Sequence, residues 1–267
     1  MNARTLLKEV EKLEASRASH RWQIPTDRVE FARSLGLEDD GWQERLLLSD
    51  APRILMNCAR QTGKSTAAGV LALHEALVTP CALVLILAPA ERQAKELFSK
   101  VAGFYHTLGN PIPADSYRKL GMALANGSRI EALPGTEKTI RGFSGAALLI
   151  VDEASRVADE LYYSVRPMLA VSGGRLMMLT TPYGKRGVFF EEWVGGEGWE
   201  RYEVRADECP RIPPVFLEEE RRALPARIYR QEYECSFEDT DEQVFGYEEV
   251  TAAITDEVKP LFEEGAA

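Results

Sequence analysis

Three observations predict a three-layer α/β fold built on a mostly parallel sheet. Short apolar runs alternate with helix-like segments along most of the chain, and strand–helix crossovers are how parallel strands are joined. Two of the runs, Cys81 to Ala88 and Ala147 to Val151, are apolar throughout, as in strands covered on both faces. Between the strand Ile54-Leu55-Met56-Asn57 and the helical run Ala67 to Val78 lies Cys58-Ala59-Arg60-Gln61-Thr62-Gly63-Lys64-Ser65-Thr66. Strand, loop and helix in that order form the setting of a phosphate-binding loop.

Residues 3–16 read as a charged helix, and residues 17–52 are mixed, with a turn at Gly36 to Gly41 before Trp42-Gln43-Glu44. The first core strand is Arg53 to Cys58, followed by the loop and its helix. Cys81 to Ala88 is the second, ended by Pro89, and a helix runs from Ala90 to Leu108. Asn110, Pro111 and Pro113 make a loop. Met122 to Ala125 and Arg129 to Leu133 flank Asn126-Gly127, a hairpin signal. After the strand at 147–151 come a helix at 159–170, a strand from Arg175 to Thr181 and a short helix between Gly184 and Gly198. The strand Trp199 to Arg205 and a helical stretch over 214–235 complete the order.

The loop carries its own chemistry. Gly63 has backbone freedom that lets the chain wrap a phosphate, and N–H groups at the following helix start point at the anion. Lys64 reaches the β- and γ-phosphates and Ser65 binds Mg²⁺. The usual pattern is G-x-x-x-x-G-K-[ST]; here Cys58 stands at the first glycine, with Arg60 inside. The apolar strand at 147–151 ends in Asp152-Glu153, and open α/β sheets place ligands at such strand ends. Asp152 is expected to hold Mg²⁺ and Glu153 to polarise an attacking water. Thr180 and Thr181 end another strand, either as a turn or as a γ-phosphate sensor. Arg141, in Thr139-Ile140-Arg141-Gly142-Phe143-Ser144-Gly145, is either a basic loop residue or an arginine finger. Gln43 can donate and accept against an adenine edge, with Trp42 beside it for packing.

Composition excludes several classes. There is no apolar run near twenty residues, so no membrane span is expected. The charged, amphipathic start, Met1 to Arg21, does not read as a signal peptide. Cys58, Cys81, Cys209 and Cys235 are scattered, with no C-x-x-C, and His20, His74 and His106 lack ligand spacing; neither a zinc site nor a disulfide frame follows. The net charge is −10, but residues 231–267 hold 12 acidic and one basic residue. The remainder is close to neutral and leaves room for a local basic face. Candidates for it are Arg92, Lys95 and Lys100 on one helix, Arg118-Lys119, Arg129 and Lys185-Arg186.

Trp-Gln, Ala-Arg-Gln-Thr-Gly-Lys-Ser, Ile-Arg-Gly-Phe-Ser, Leu-Ile-Val-Asp-Glu-Ala and Thr-Thr-Pro, in that order, resemble the ATPase domain of phage large terminase subunits over residues 40–245. The resemblance implies the additional-strand, catalytic-glutamate (RecA-like) branch of the P-loop NTPases and an ATP-hydrolysing motor that moves double-stranded DNA into a procapsid. It implies nucleotide binding by Gln43 and by Arg60, Gln61, Thr62, Gly63, Lys64, Ser65 and Thr66, with Arg60 acting in cis. It implies Mg²⁺ on Ser65 and Asp152, Glu153 as catalytic base, Thr180 and Thr181 as coupling residues, and Arg141 offered to a neighbouring subunit. It further implies a homo-oligomeric, pentameric ring on the portal, phosphate contacts to DNA for which Lys100 and Arg129 are the choices, a small terminase subunit as partner, and work in the host cytoplasm. The expected division is an N-terminal helical extension (1–40), the ATPase core (41–205), a helical lid (206–245) and an acidic tail (246–267). With few residues after the lid, no ribonuclease-H-like nuclease domain is expected. Two other functions share the motifs: a helicase-like translocase, and a nucleotide-switched assembly protein without motor activity.

Overall fold

The structure is a computed structural model that describes residues 24–38, 40–135, 142–239 and 247–254. Eight strands form one sheet: β1 (Arg53–Cys58), β2 (Leu83–Ala88), β3 (Ala114–Arg118), β4 (Gly121–Leu124), β5 (Arg129–Pro134), β6 (Leu148–Asp152), β7 (Arg175–Thr180) and β8 (Glu200–Val204). Their spatial order is β3-β4-β5-β2-β6-β7-β1-β8. The run from β5 to β8 is parallel, and β3 and β4 add an antiparallel ribbon at one edge.

Strand alternation sorts the core into two faces. Ile54 and Met56 of β1, Val84 and Ile86 of β2, and Met177 and Leu179 of β7 pack on one side. Leu55, Leu83, Leu85, Leu87, Leu176 and Met178 pack on the other. The first face is covered by α1 (Arg28–Ser34), α2 (Gly41–Leu48), α3 (Lys64–Val78) and α4 (Glu91–Thr107). The second is covered by α5 (Asp159–Val165) and α6 (Gly187–Val194). The predicted three-layer fold is therefore the observed one. In α4 the buried positions are Ala94, Leu97, Phe98, Val101, Ala102 and Tyr105. That i, i+3, i+4 spacing leaves the charged residues on the opposite face.

Most sequence boundaries hold to within a residue or two, with four differences. The helix expected over 159–170 is α-helical only over Asp159–Val165 and continues as a 3-10 helix over Arg166–Leu169, where Pro167 lacks an N–H. The strand β3 has no apolar alternation, and four of its five residues are exposed; an edge strand lying beyond the core needs none. The helical stretch over 214–235 divides into α7 (Pro214–Ala223) and α8 (Ala226–Tyr233), because Pro225 lacks an N–H and disfavours a helical residue before it. The stretch over 17–52 resolves, from residue 24 on, into α1 and α2. The expected helix over 3–16 lies outside the described residues. So does most of the acidic tail, apart from α9 (Tyr247–Ala253).

The turn at Asn126-Gly127 forms as its residues require. Gly127 has φ 84, and the Asn126 side chain accepts a hydrogen bond from the Ser128 N–H at 3.0 Å. What positions the site is the order β6-β7-β1. Asn57 lies level with Thr180, and Asp152 with Leu179. The strand feeding the phosphate loop and the strand ending in Asp152 are thus separated by β7, the arrangement expected of the additional-strand branch.

Candidate nucleotide site

Cys58 is still in strand conformation at the position where the usual motif has glycine, and it is fully buried. Its φ is not positive, so no glycine is needed there. Its thiol lies among apolar neighbours, and burial pushes its pKa up. Curvature comes three residues later. Gln61 has φ 63 and Gly63 has φ 95, which turns successive N–H groups toward a common centre. The buried Thr62 hydroxyl donates to the Ala59 carbonyl at 2.9 Å and braces the turn.

Lys64 opens α3. Its Nζ donates to Thr181 Oγ1 at 3.2 Å and stands 3.5 Å from Glu153 Oε1. One ammonium thus joins the ends of three elements: the phosphate loop, β6 and β7. Asp152 is buried, and its pKa is raised to about 6 by that burial and by the neighbouring Glu153, with Lys64 pulling it down. It accepts a hydrogen bond from the Glu153 N–H at 3.0 Å. Glu153 itself has φ 51 and ψ 43, left-handed backbone that a β-carbon disfavours. That turn swings its carboxylate off the strand direction and toward Lys64. Thr180 Oγ1 accepts from the Ser155 N–H at 3.3 Å, so β7 and the turn after Glu153 are linked directly.

Two cavities meet over the loop. The first, about 700 Å³, is lined by Lys64, Ser65, Asp152, Glu153, Arg156 and Arg60, among others. The second, about 620 Å³, presents Leu37, Leu47, Val70 and Pro210 beside Gln43 and Asp40. Gly63, Thr66 and Arg211 belong to both walls. A polar, cationic chamber beside a more apolar one has the division that a nucleotide's phosphates and base require. Gln43 is buried, and its Oε1 accepts from the Asp40 N–H at 3.0 Å in a capping box at the start of α2.

Two arginines at the site belong to no sequence motif. Arg211 donates to the Thr62 carbonyl at 2.9 Å and pairs with Asp40 at 2.7 Å, tying the loop after β8 to both the phosphate loop and α2. Arg156 follows Glu153 by three residues, and its guanidinium carbon lies 3.9 Å from the Tyr183 ring centre. Of the two, Arg156 could have been suspected from its place in Asp152-Glu153-Ala154-Ser155-Arg156.

Arg60 has a partner that no local pattern indicates. Its side chain is largely exposed and pairs with Glu232 of α8, and its N–H donates to the Glu232 carbonyl at 3.1 Å. Asn57 donates to the Cys235 carbonyl at 2.8 Å, and Ala59 packs with Ala206, Leu217 and Cys235. Residues far down the chain therefore back the loop. Lys100 lines the phosphate-side cavity. Arg129 opens β5, opposite Leu83 at the start of β2, at the sheet end remote from the site. These two do not form one face. Arg118 and Lys119 pair with Glu131 and Glu91. Arg141 lies outside the described residues.

Residues 55–252 match the family described as terminase large subunit, T4likevirus-type, N-terminal. The chain belongs to the terminase large subunit family. Curated terminase large subunits are similar to it: 28% identical over 258 residues for Thermus virus P23-45 and 27% over 218 residues for Escherichia phage T5. These alignments cover 83% and 76% of this chain, and 53% and 47% of the relatives. The chain thus spans about half the length of the curated relatives it matches. Among solved structures, the large terminase ATPase domain of Thermus phage P74-26 superposes with TM-score 0.71 at 24% identity, over 78% of this chain and 98% of that one. A large terminase from a thermophilic bacteriophage, in complex with ADP, superposes with TM-score 0.64 at 12% identity, over 74% and 54%. At these identities the superpositions establish the shared terminase fold. Among the described residues no helix is long and apolar enough to cross a membrane.

Proposed function

We propose that this chain is the ATP-hydrolysing motor domain of a phage large terminase, driving double-stranded DNA into a procapsid. The observation that carries the reading is the bridging of Lys64 to both Glu153 and Thr181. It brings a phosphate-binding cation, a carboxylate and the end of β7 to one point on the wall of a chamber large enough for a triphosphate.

The base enters the chamber beside Gln43, whose amide N–H₂ reads the adenine edge. The phosphates lie over the N–H groups of Gln61 to Thr66, with Lys64 on the β- and γ-phosphates. Binding exchanges the Lys64–Glu153 pair for a Lys64–phosphate pair and frees Glu153 to orient a water for in-line attack. The residues also fit Mg²⁺. Asp152 is a buried carboxylate on the cavity wall, and Ser65 adds a second hard oxygen donor there. Among the described residues no cluster of three or more His, Cys, Asp or Glu could hold a metal alone. A cation taking only a few protein oxygens and completing its shell from phosphate and water suits Mg²⁺. When bound, it neutralises charge developing on the phosphates.

Arg60 leaves Glu232 to add a second charge on the phosphates. Arg141 completes the site of a neighbouring subunit in a pentameric ring on the portal. Thr180 and Thr181 pass the loss of the γ-phosphate to the rest of the domain, with residues 206–245 acting as a helical lid. DNA is held through its phosphates, independent of sequence, and the small terminase subunit joins the assembly in the host cytoplasm. The test is Glu153→Gln. We expect ATP to bind at least as tightly, because the competing Lys64–Glu153 pair is gone, and turnover to fall by at least about 100-fold, the scale of a lost general base. Unchanged turnover would remove Glu153 from the chemistry.

A further inference from the structure

We infer that Arg156 binds the terminal phosphate of the nucleotide, with the Tyr183 ring as the rest from which it moves. The inference builds on the ATP site proposed above and adds a residue that the phosphate-loop and Asp-Glu motifs do not contain.

Four observations converge on it. Arg156 lines the same cavity wall as Lys64, Ser65, Asp152 and Glu153. Its side chain is exposed, and its guanidinium lies over Tyr183 at 3.9 Å. No carboxylate within ion-pairing distance of it is found among the described residues, in contrast to Arg60, Arg118, Arg211 and Arg230, each of which pairs with one. Its backbone is fixed to the catalytic turn, because the Arg156 N–H donates to the Glu153 carbonyl at 2.8 Å.

A guanidinium on an aromatic face keeps its N–H donors at the ring's rim, available to an anion. A cation–π contact at an exposed site is also weak compared with a charge-assisted hydrogen bond to phosphate. A phosphate arriving between Lys64 and Arg156 therefore outcompetes the ring. Tyr183 directly follows Thr180-Thr181-Pro182. The turn carrying Arg156 is hydrogen-bonded to Thr180 through Ser155. Exchange of the guanidinium between ring and phosphate thus acts on the segment that leaves β7. Arg156 touches the nucleotide; Tyr183 acts through Arg156 and is a positioning residue.

The test uses equilibrium binding of a non-hydrolysable ATP analogue and of ADP to the whole chain carrying Arg156→Ala, Arg156→Lys, Tyr183→Leu or Tyr183→Phe. Arg156→Ala is expected to weaken the ATP analogue by roughly tenfold or more, the scale of one charge-assisted contact, and to leave ADP within about twofold. Arg156→Lys should recover part of that loss. Tyr183→Leu removes the competing rest, so the ATP analogue should tighten by about two- to fivefold, the binding equivalent of an exposed cation–π contact. Tyr183→Phe keeps the ring and should match the wild type. Equal weakening of both nucleotides by Arg156→Ala and Tyr183→Leu would show a merely structural pair and overturn the inference. Unchanged ATP-analogue binding in Arg156→Ala would overturn it too. A wild-type chain that binds neither nucleotide overturns the ATP site itself, a separate result from failure of Arg156 alone.

Discussion

Replacing Gly63 by alanine tests the geometry where the two cavities meet. Gly63 has φ 95 and ψ 12. A β-carbon added there stands 2.7 Å from Gln43 Nε2 and 3.2 Å from an Arg211 guanidinium nitrogen. Left-handed backbone costs an alanine about 1–2 kcal/mol. The contact at 2.7 Å forces Gln43 to shift. Gln43 is not free to do so at no cost, because its Oε1 accepts from the Asp40 N–H at 3.0 Å in the capping box. Losing that cap costs about 1 kcal/mol more. Gly63→Ala should therefore destabilise the chain by about 2–3 kcal/mol in urea unfolding. In a Gln43→Ala background the clash and the cap are already gone, and the same change should cost only the backbone share of about 1–2 kcal/mol. The difference is a coupling energy of about 1 kcal/mol from a double-mutant cycle. Equal cost in both backgrounds would refute the placement of Gln43 against the loop. A cost below about 0.5 kcal/mol in either would refute the left-handed turn.

Three other outcomes follow from the same geometry. Glu153→Gly removes a β-carbon from left-handed backbone and relieves Asp152 of a neighbouring charge, so thermal unfolding should shift upward by the equivalent of about 1 kcal/mol while hydrolysis is lost; a lower melting temperature would contradict stored strain at that turn. Glu232→Gln frees the Arg60 side chain from its ion pair with a mostly buried carboxylate while an amide keeps the neighbouring hydrogen bonding, and should cost no more than about 1 kcal/mol of stability and tighten ATP by about two- to fivefold; weaker binding would mean that Glu232 holds Arg60 in its working position. His74 donates Nε2–H to the Pro25 and Thr26 carbonyls at 3.2 and 3.1 Å, and burial lowers its pKa from 6.5, with Arg28 acting the same way. The unfolded chain then binds the extra proton first, so this contribution to stability is complete above pH 6.5 and is lost as pH falls through the lower folded value. In His74→Gln, stability measured across that acid window should depend less on pH than in the wild type.

Much of the fold was legible because its signals are local. The strand bounds at Arg53 and Cys58 match those read from the run itself. Apolar runs covered on both faces announce buried parallel strands. The hairpin at Asn126-Gly127 and the loop glycine at Gly63 follow from backbone freedom at single positions. The strand β3 stayed hidden because an exposed edge strand carries no burial pattern. Pro225 was present in the sequence, and its effect in dividing the last long helical stretch was local as well.

For the candidate site the division is different. The groups available for chemistry could be named from short patterns alone: Lys64 and Ser65 after a tight turn, Asp152 and Glu153 at the end of a buried strand, Thr180 and Thr181 at the end of another. The physics of each lies within a few residues. Which of these groups meet is a property of the folded chain. The order β6-β7-β1 lets one ammonium reach Glu153 and Thr181, and the return of α8 past the loop places Glu232 on Arg60. The same packing brings Arg211 between the cavities and lays Arg156 on Tyr183. Those contacts join residues up to 172 positions apart, and no periodicity records them. They exist because a parallel sheet collects strand ends on one edge, whatever their distance along the chain.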